Sequence, residues 1–167
     1  MSSAEEPIVN RVANSPLKIF DLEELYVEGV RTTLDIAQWI EEGELLRESS
    51  FRNALKAADL EKYSGVHVSL HCSSDIILPQ WTYSLVTTTL SSIAQSVIVG
   101  DLEQLEVVLY ERALAKIDFS IYKDAPVILK GCSKKPVPDQ AYVSAAMALK
   151  KVAKKLIYGE ACSAVPL

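Results

Sequence analysis

The feature that most constrains the fold of this chain is a regular alternation, from residue 66 onward, of short strand-like segments with longer helical patterns. Each pair of successive strand segments is separated by one stretch whose apolar residues recur at helical spacing. Short apolar strands joined by helices are typical of parallel sheets that are covered by helices. The sequence therefore predicts an α/β fold, with a mostly parallel sheet and helices on both faces. The strand segments are residues 66–70, 97–99, 127–129 and 156–158.

The N-terminal third is less regular than the rest. Leu17 to Leu22 favours an additional strand, Leu34 to Ile40 a short helix, and Ser50 to Ala58 a second helix. No linker rich in Gly, Pro or Ser separates this third from the remainder of the chain. We therefore expect one domain over residues 1–167, in which residues 1–65 form an N-terminal extension packed on an α/β core of residues 66–167.

Two parts of the predicted core resemble each other at a constant offset of 59 residues, except that the Cys-Ser pairs are 60 residues apart because one loop is shorter by one residue. Each part contains an apolar strand, a Cys-Ser pair, a Pro, a helix that carries a Tyr, a second apolar strand, and a Gly followed by an acid. Apolar periodicity alone does not account for the shared Cys-Ser, Pro and Tyr positions, so we interpret the pattern as a duplicated βαβ-type unit. Pro79, Tyr83, Ile93, Val97, Ile98, Gly100 and Asp101 correspond to Pro138, Tyr142, Val152, Leu156, Ile157, Gly159 and Glu160.

All three cysteines, Cys72, Cys132 and Cys162, precede a serine and follow a predicted strand. Loops at the carboxyl ends of parallel strands share one edge of a sheet, where ligands bind. Thiolates select zinc, copper(I) or iron–sulfur clusters. The sequence thus predicts a metal ion or an iron–sulfur cluster, with Asp75 as the favoured fourth ligand and Glu160 as a further candidate.

Two alternatives remain open from the same residues. Cys132 stands beside Lys134 and Lys135, whose charge would lower the pKa of its thiol and suit a thiol-dependent enzyme for sulfur or acyl transfer. The second alternative is a non-catalytic interaction module, in which the cysteines are structural. Residues 126–167 hold seven lysines against two acidic residues, which suits docking of an acidic partner, although lysines in the last turns of a helix also complement its dipole.

Composition and motifs argue against several other classes. The net charge is −5, and no stacking aromatics interleave with the lysines, so nucleic acid is not an expected partner. The apolar stretches are too short to cross a membrane, and no Gly-rich nucleotide motif occurs. The polar, acidic start does not resemble a signal peptide, so we expect a cytoplasmic protein with reduced thiols. The sequence leaves the oligomeric state open.

Several motifs together resemble one family over nearly the whole chain, the bacterial domain-of-unknown-function family 2480. The resemblance implies no established activity, but it implies iron–sulfur cluster assembly proteins as partners and an accessory role in that assembly. The motifs are His71-Cys72-Ser73-x-Asp75 with Pro79-x-Trp81-x-Tyr83, Gly131-Cys132-Ser133-x-Lys135-Pro136-Val137-Pro138, and Tyr158-Gly159-Glu160-Ala161-Cys162-Ser163-x-Val165-Pro166-Leu167.

Overall fold

The structure is a computed structural model that describes residues 16–40, 46–131, 134–159 and 165–167. The chain divides into two compact units. One, here called the inserted unit, is residues 27–112. The other, the split unit, consists of residues 113–167 together with the segment that ends at Tyr26. The sequence expectation of a single domain with an N-terminal extension stays a prediction.

The described residues form seven strands, four α-helices and four short 3-10 turns. The strands are β1 (Lys18–Asp21), β2 (Arg31–Asp35), β3 (His67–His71), β4 (Ser96–Val99), β5 (Pro126–Lys130), β6 (Lys155–Tyr158) and β7 (Val165–Pro166). The α-helices are α1 (Glu48–Ala57), α2 (Gln80–Leu90), α3 (Leu102–Leu114) and α4 (Asp139–Lys150). The 3-10 turns span Leu22–Leu25, Ile36–Trp39, Glu61–Tyr63 and Phe119–Tyr122.

The strands are distributed over two sheets. In the inserted unit β3 lies between β2 and β4, and both pairings are parallel. In the split unit the order is β1-β5-β6-β7, with parallel pairings except for the short antiparallel β7 at the edge. The predicted α/β class with mostly parallel strands is confirmed. In the described residues, no helix is long and apolar enough to cross a membrane.

The predicted duplication is visible in the backbone hydrogen bonds. The strands of β3-α2-β4 and of β5-α4-β6 begin and end at an offset of 59 residues, and so do the starts of the two helices. Only the helix ends differ, at Leu90 and Lys150. Bonds that connect the turns repeat at the same offset, which periodicity alone would not produce. The N–H groups of Gly65, Gln95 and Gly100 donate to the carbonyls of Ile93, Val66 and Leu70, and those of Asp124, Lys154 and Gly159 donate to Val152, Ala125 and Leu129.

β1 and β2, the edge strands that pair with β5 and β3, also resemble each other. β1 ends at Asp21 and β2 ends at Asp35, and each carboxylate caps the 3-10 turn after it by accepting from the backbone N–H two residues on, at 3.0 and 2.9 Å. The predicted strand at 17–22 and helix at 50–58 are confirmed by β1 and α1. The short helix predicted at 34–40 is confirmed in part: a 3-10 turn covers Ile36–Trp39, but Leu34 and Asp35 lie in β2.

Buried side chains in each unit come from both helices and strands. In the inserted unit Phe51 and Leu55 of α1 pack with Val86 and Leu90 of α2 and with the central strand β3. In the split unit Ala141, Ala145 and Leu149 form the buried side of α4, which contacts β5 and β6. Alanines on that side let the helix approach the sheet closely. Burial of this kind stabilises by roughly 25 cal/mol per Å² of apolar surface.

His67 is a buried polar residue of the inserted unit, and both of its ring nitrogens have hydrogen-bond partners. His67 of β3 is 1% exposed, with Nδ1 2.8 Å from the Ser96 hydroxyl and Nε2 3.1 Å from the carbonyl of Glu28. Because a carbonyl only accepts, Nε2 carries the proton. Gly29 has φ +136°, and a Cβ there would lie 2.8 Å from Nε2 of His67. His67 is therefore a structural residue that requires glycine beside it.

Candidate functional site

The carboxyl ends of β5 and β6 form the edge to which the sequence assigned two of the cysteines. The strands are parallel neighbours with Leu129 paired to Tyr158, and the N–H of Gly159 donates to the carbonyl of Leu129 at 3.1 Å. Cys132 follows β5 by two residues and Cys162 follows β6 by four. Both cysteines, like Glu160, lie outside the described residues, so the structure brings together the strand ends that lead to them.

An open cavity of about 520 Å³ lies at this edge, lined by Val137, Asp139, Tyr142 and Tyr158. Its volume falls in the range of roughly 300–1,000 Å³ that is usual for small-molecule sites. The rings of Tyr142 and Tyr158 meet edge to face, with centroids 5.9 Å apart and an interplanar angle of 67°. Asp139 is the first residue of α4 and is exposed. The cavity thus combines two aromatic rings with one carboxylate.

Gly131 explains how the ring of Tyr142 reaches this position. A Cβ on Gly131 would lie 2.3 Å from the Tyr142 hydroxyl oxygen and 2.8 Å from its Cζ. The absence of a side chain therefore lets the tyrosine lie directly against the backbone. Gly131 is the residue before Cys132, so one wall of the cavity touches the peptide that leads into a cysteine.

Described residues at and after the end of β5 contact side chains at the end of β1 and in the turn after it. Glu23 Oε1 accepts from the backbone N–H groups of Lys134 and Lys135, at 2.8 and 3.1 Å. The Lys135 ammonium lies 4.3 Å from the ring centroid of Tyr26, a cation–π distance. Lys130 Nζ is 2.9 Å from Asp21 Oδ2. The backbone N–H groups of Lys134 and Lys135 and the side chains of Lys130 and Lys135 are therefore held in place by residues 21–26.

The equivalent segment after β3 is pinned by a residue that sequence reasoning missed. Asp35 accepts from the N–H and the hydroxyl of Ser73, in addition to the N–H of Ala37, and its Oδ1 lies 4.0 Å from Nδ1 of His71. Burial raises the pKa of Asp35, but the Ser73 hydroxyl, the N–H groups of Ala37 and Ser73, and His71 together outweigh burial and lower it. The sequence feature that could have indicated this role is an Asp followed by an apolar residue at both 21 and 35.

Cys72 and Asp75 are the predicted site residues that the structure describes. Cys72 is half-buried, and its Sγ donates to the carbonyl of Ser74 at 3.7 Å; Asp75 is exposed. Among the described residues, no three His, Cys, Asp or Glu side chains are grouped as metal ligands. Strand pairing places β3 between β2 and β4, so pairing alone does not bring Cys72 beside the ends of β5 and β6. The joint site of Cys72, Cys132, Cys162 and Asp75 stays a prediction.

The fold and this edge define an α/β protein that contains two copies of one βαβ unit, with a tyrosine-lined cavity at the carboxyl edge of the second. Residues 6–167 match the model of a family described as protein of unknown function, DUF2480. The chain belongs to this family, as its motifs indicated. No curated protein and no solved structure gives a significant match.

Proposed function

We propose that the carboxyl edge of β5 and β6 binds a soft metal ion, zinc or the iron of an iron–sulfur cluster, through Cys132 and Cys162. One observation carries the proposal: the pairing of two parallel strands ends at Leu129 and Tyr158, and a Cys-Ser pair follows each strand within four residues. Thiolates at such an edge are the ligands that these metals select.

The chain lengths beyond each strand are sufficient for both thiolates to reach one ion. Adjacent strands lie about 4.8 Å apart, and each further residue extends the chain by up to about 3.4 Å. Two thiolates on one zinc ion are roughly 4 Å apart, because each zinc–sulfur bond is about 2.3 Å. Segments of two and four residues can therefore bring Cys132 and Cys162 to that separation.

Cys72 and Asp75, the further ligands that the sequence favours, lie outside the pair proposed here, and metal analysis of single variants decides whether Cys72 takes part. The described contacts of Cys72 are within its own loop, where Ser74 accepts from its thiol. Cys132 and Cys162 follow neighbouring strands and form the minimal pair. The remaining coordination positions then belong to cluster sulfide, to solvent, or to a ligand that enters the cavity.

The biological role that fits such a site is accessory: the protein carries, senses or helps to assemble its cofactor. Iron–sulfur assembly proteins would be its partners, in a cytoplasm that keeps thiols reduced. An open edge supports this role, because a carrier must exchange its cargo with another protein. Tyr158, at the end of β6, is 40% exposed, and the cavity beside it is open to solvent.

The experiment is metal and sulfide analysis of the protein purified without oxygen, for the wild type and for single Cys→Ser variants. We expect bound iron or zinc that is lost in Cys132→Ser and in Cys162→Ser but kept in Cys72→Ser, the matched control. Loss in Cys72→Ser to the same degree would replace the pair by the three-cysteine site. A wild type without stoichiometric metal, with unchanged spectrum and stability in all variants, would refute the proposal.

The cavity favours a second function, a thiol-dependent enzyme for sulfur or acyl transfer with Cys132 as nucleophile. A small substrate in the space beside Tyr142 would lie next to the peptide that leads into Cys132. Lys134, whose side chain is exposed, would lower the thiol pKa. Mass spectrometry of alkylation near neutral pH tests this function: Cys132 should react fastest and slow down in Lys134→Gln, whereas three equally slow cysteines would contradict it.

A further inference from the structure

The amino-terminal edge of the β5-β6 pair carries a group of exposed lysines for which neither proposed function has a use. Two backbone bonds hold the surrounding turns together: Asp124 N–H donates to Val152 at 3.0 Å and Lys154 N–H donates to Ala125 at 2.9 Å. The turns that carry the lysines therefore meet at one place, here called the lysine edge. Its members are Lys123, Lys150, Lys151, Lys154 and Lys155, all exposed.

The duplication supplies an internal comparison that separates structural from functional reasons for these lysines. In β3-α2-β4 the same turns are closed by the equivalent bonds, from Gly65 to Ile93 at 2.8 Å and from Gln95 to Val66 at 2.9 Å. That copy has no basic residue in the last turn of its helix. The residues that correspond to the five lysines are Ser64, Ser91, Ser92, Gln95 and Ser96.

Neither the helix end nor the turn therefore requires positive charge. A helix dipole accounts for favourable lysines near a C-terminus, but α2 ends equally well at Ser91 without them. Like charges that stand close together repel, so clustering five of them costs stability unless a partner neutralises them. Within the described residues, none of the five has an acidic side chain within 4 Å; Lys150 Nζ donates to the carbonyl of Leu167.

Apolar side chains adjoin the lysine edge along α4. Val143 and Met147 are one turn apart on the exposed side of the helix and are 51% and 62% exposed, and Lys150 and Lys151 lie in the next turn. Near Lys123, Ile121 is 55% exposed. Protein interfaces combine an apolar core with a polar, solvent-accessible rim, and Met is adaptable at such surfaces. Here two exposed apolar side chains of α4 adjoin the charged lysine edge.

We propose that the lysine edge, together with Val143 and Met147, docks an acidic polypeptide segment that carries apolar side chains. The chain as a whole is acidic, at −5, which opposes an extended polyanion such as duplex DNA or an anionic membrane, while a short acidic segment meets mainly the lysine edge. The lysine edge is separate from the proposed metal site, because the two lie at opposite ends of β5 and β6, about 13 Å apart along strands of four to five residues.

The test measures binding of a labelled synthetic peptide of glutamates interspersed with leucines, by fluorescence anisotropy at low and high salt. We expect affinity that falls with salt and drops roughly tenfold in an edge variant. The edge variant takes its residues from the other copy, so its turns should fold unchanged, which far-UV circular dichroism checks. It is Lys151→Ser/Lys154→Gln/Lys155→Ser.

Two controls make the outcome decisive. A control variant with the same change in net charge, but with every substitution outside the lysine edge, should keep its affinity for the peptide. Arginines at positions 151, 154 and 155 should restore peptide binding. Equal weakening in the edge and control variants, or no peptide binding by the wild type, would overturn the proposal. Tighter binding of single-stranded DNA or phosphatidylserine vesicles that is lost in the edge variant would replace the peptide by a polyanion. The control variant is Lys56→Ser/Lys62→Gln/Lys134→Ser.

The apolar part of the surface has a separate readout. Val143→Ser/Met147→Ser leaves every lysine in place, so it should weaken the leucine-containing peptide while leaving binding of a peptide of glutamates alone unchanged. Equal binding of both peptides by the wild type and by this variant would overturn the role of the two apolar side chains.

Discussion

The contact between Gly131 and Tyr142 permits the sharpest test of the cavity. A methyl group on residue 131 would lie 2.3 Å from the Tyr142 hydroxyl oxygen, 2.8 Å from Cζ and 3.0 Å from Cε1. Ordinary van der Waals contacts between such atoms begin near 3.4 Å, so the overlap with the hydroxyl oxygen is about 1 Å. Gly131→Ala therefore forces the ring, which lines the cavity, to move.

The expected cost is set by two opposing effects. Extra atoms in a well-packed place cost about 1–3 kcal/mol. Gly131 does not have positive φ, so alanine adopts its backbone without strain and stabilises by about 0.4–1 kcal/mol through the unfolded chain. We expect the free energy of unfolding to fall by roughly 1–2 kcal/mol in Gly131→Ala.

A double-mutant cycle shows whether the tyrosine causes this loss. Tyr142→Phe removes the atom at 2.3 Å but leaves Cζ at 2.8 Å, while Tyr142→Ala removes all three overlaps. The cost of Gly131→Ala should therefore shrink in the first background, and the substitution should become neutral or stabilising in the second. The losses that each Tyr142 substitution causes on its own cancel in the cycle.

The assay is urea unfolding followed by far-UV circular dichroism. Tryptophan fluorescence is unsuitable, because Trp39 and Trp81 both belong to the inserted unit, whereas Gly131 and Tyr142 belong to the split unit. A cost of Gly131→Ala that is the same in all three Tyr142 backgrounds would refute the contact as its cause.

Two further predictions concern the inserted unit. Gly29→Ala should lower the free energy of unfolding by about 3 kcal/mol, because it combines a strained positive φ with displacement of the hydrogen-bonded His67. Gly65→Asp should cost only about 1 kcal/mol, since Gly65 has open space at φ +68° and its counterpart Asp124 has φ 55°. Equal costs in urea unfolding would contradict the repeat alignment. Asp35→Ala should cost about 2 kcal/mol at neutral pH, from a lost turn cap and two lost loop bonds. Because the pKa of Asp35 is lowered, this contribution is present above about pH 4, the unfolded value, and disappears as the pH falls through the folded pKa. A stability difference between wild type and Asp35→Ala that stays constant from pH 7 to about pH 2 would be inconsistent with that role.

The helices and strands of the duplicated unit were predictable because their determinants are local. Apolar periodicity, a Pro before each helix, and a Gly after each second strand act over neighbouring residues, and α2 and α4 begin directly after Pro79 and Pro138. β2 was missed for a related reason. Its sequence Arg31-Thr32-Thr33-Leu34-Asp35 has one strongly apolar residue, and its extended state depends on pairing with β3.

The candidate site was predictable in outline only. The rule that ligands lie beyond the carboxyl ends of parallel strands located the segments after β5 and β6, but the cavity depends on a glycine and a tyrosine eleven residues apart that come into contact across the start of a helix. The roles of Asp35 and Glu23 depend on side chains that reach 38 and 111 residues along the chain. Spacing in the sequence does not reveal such contacts.

The sequence by itself therefore determined the α/β class, the duplication and the family, because each rests on the order and spacing of neighbouring residues. The tertiary structure alone decided which strands pair. β1 selects β5 across more than a hundred residues, and the three strands that precede the cysteines are divided between two sheets. Pairing is decided by competition among all the strands for shared hydrogen bonds and burial, and no local segment contains that information. The same division leaves Cys132 and Cys162 after neighbouring strands and Cys72 after a strand of the other copy.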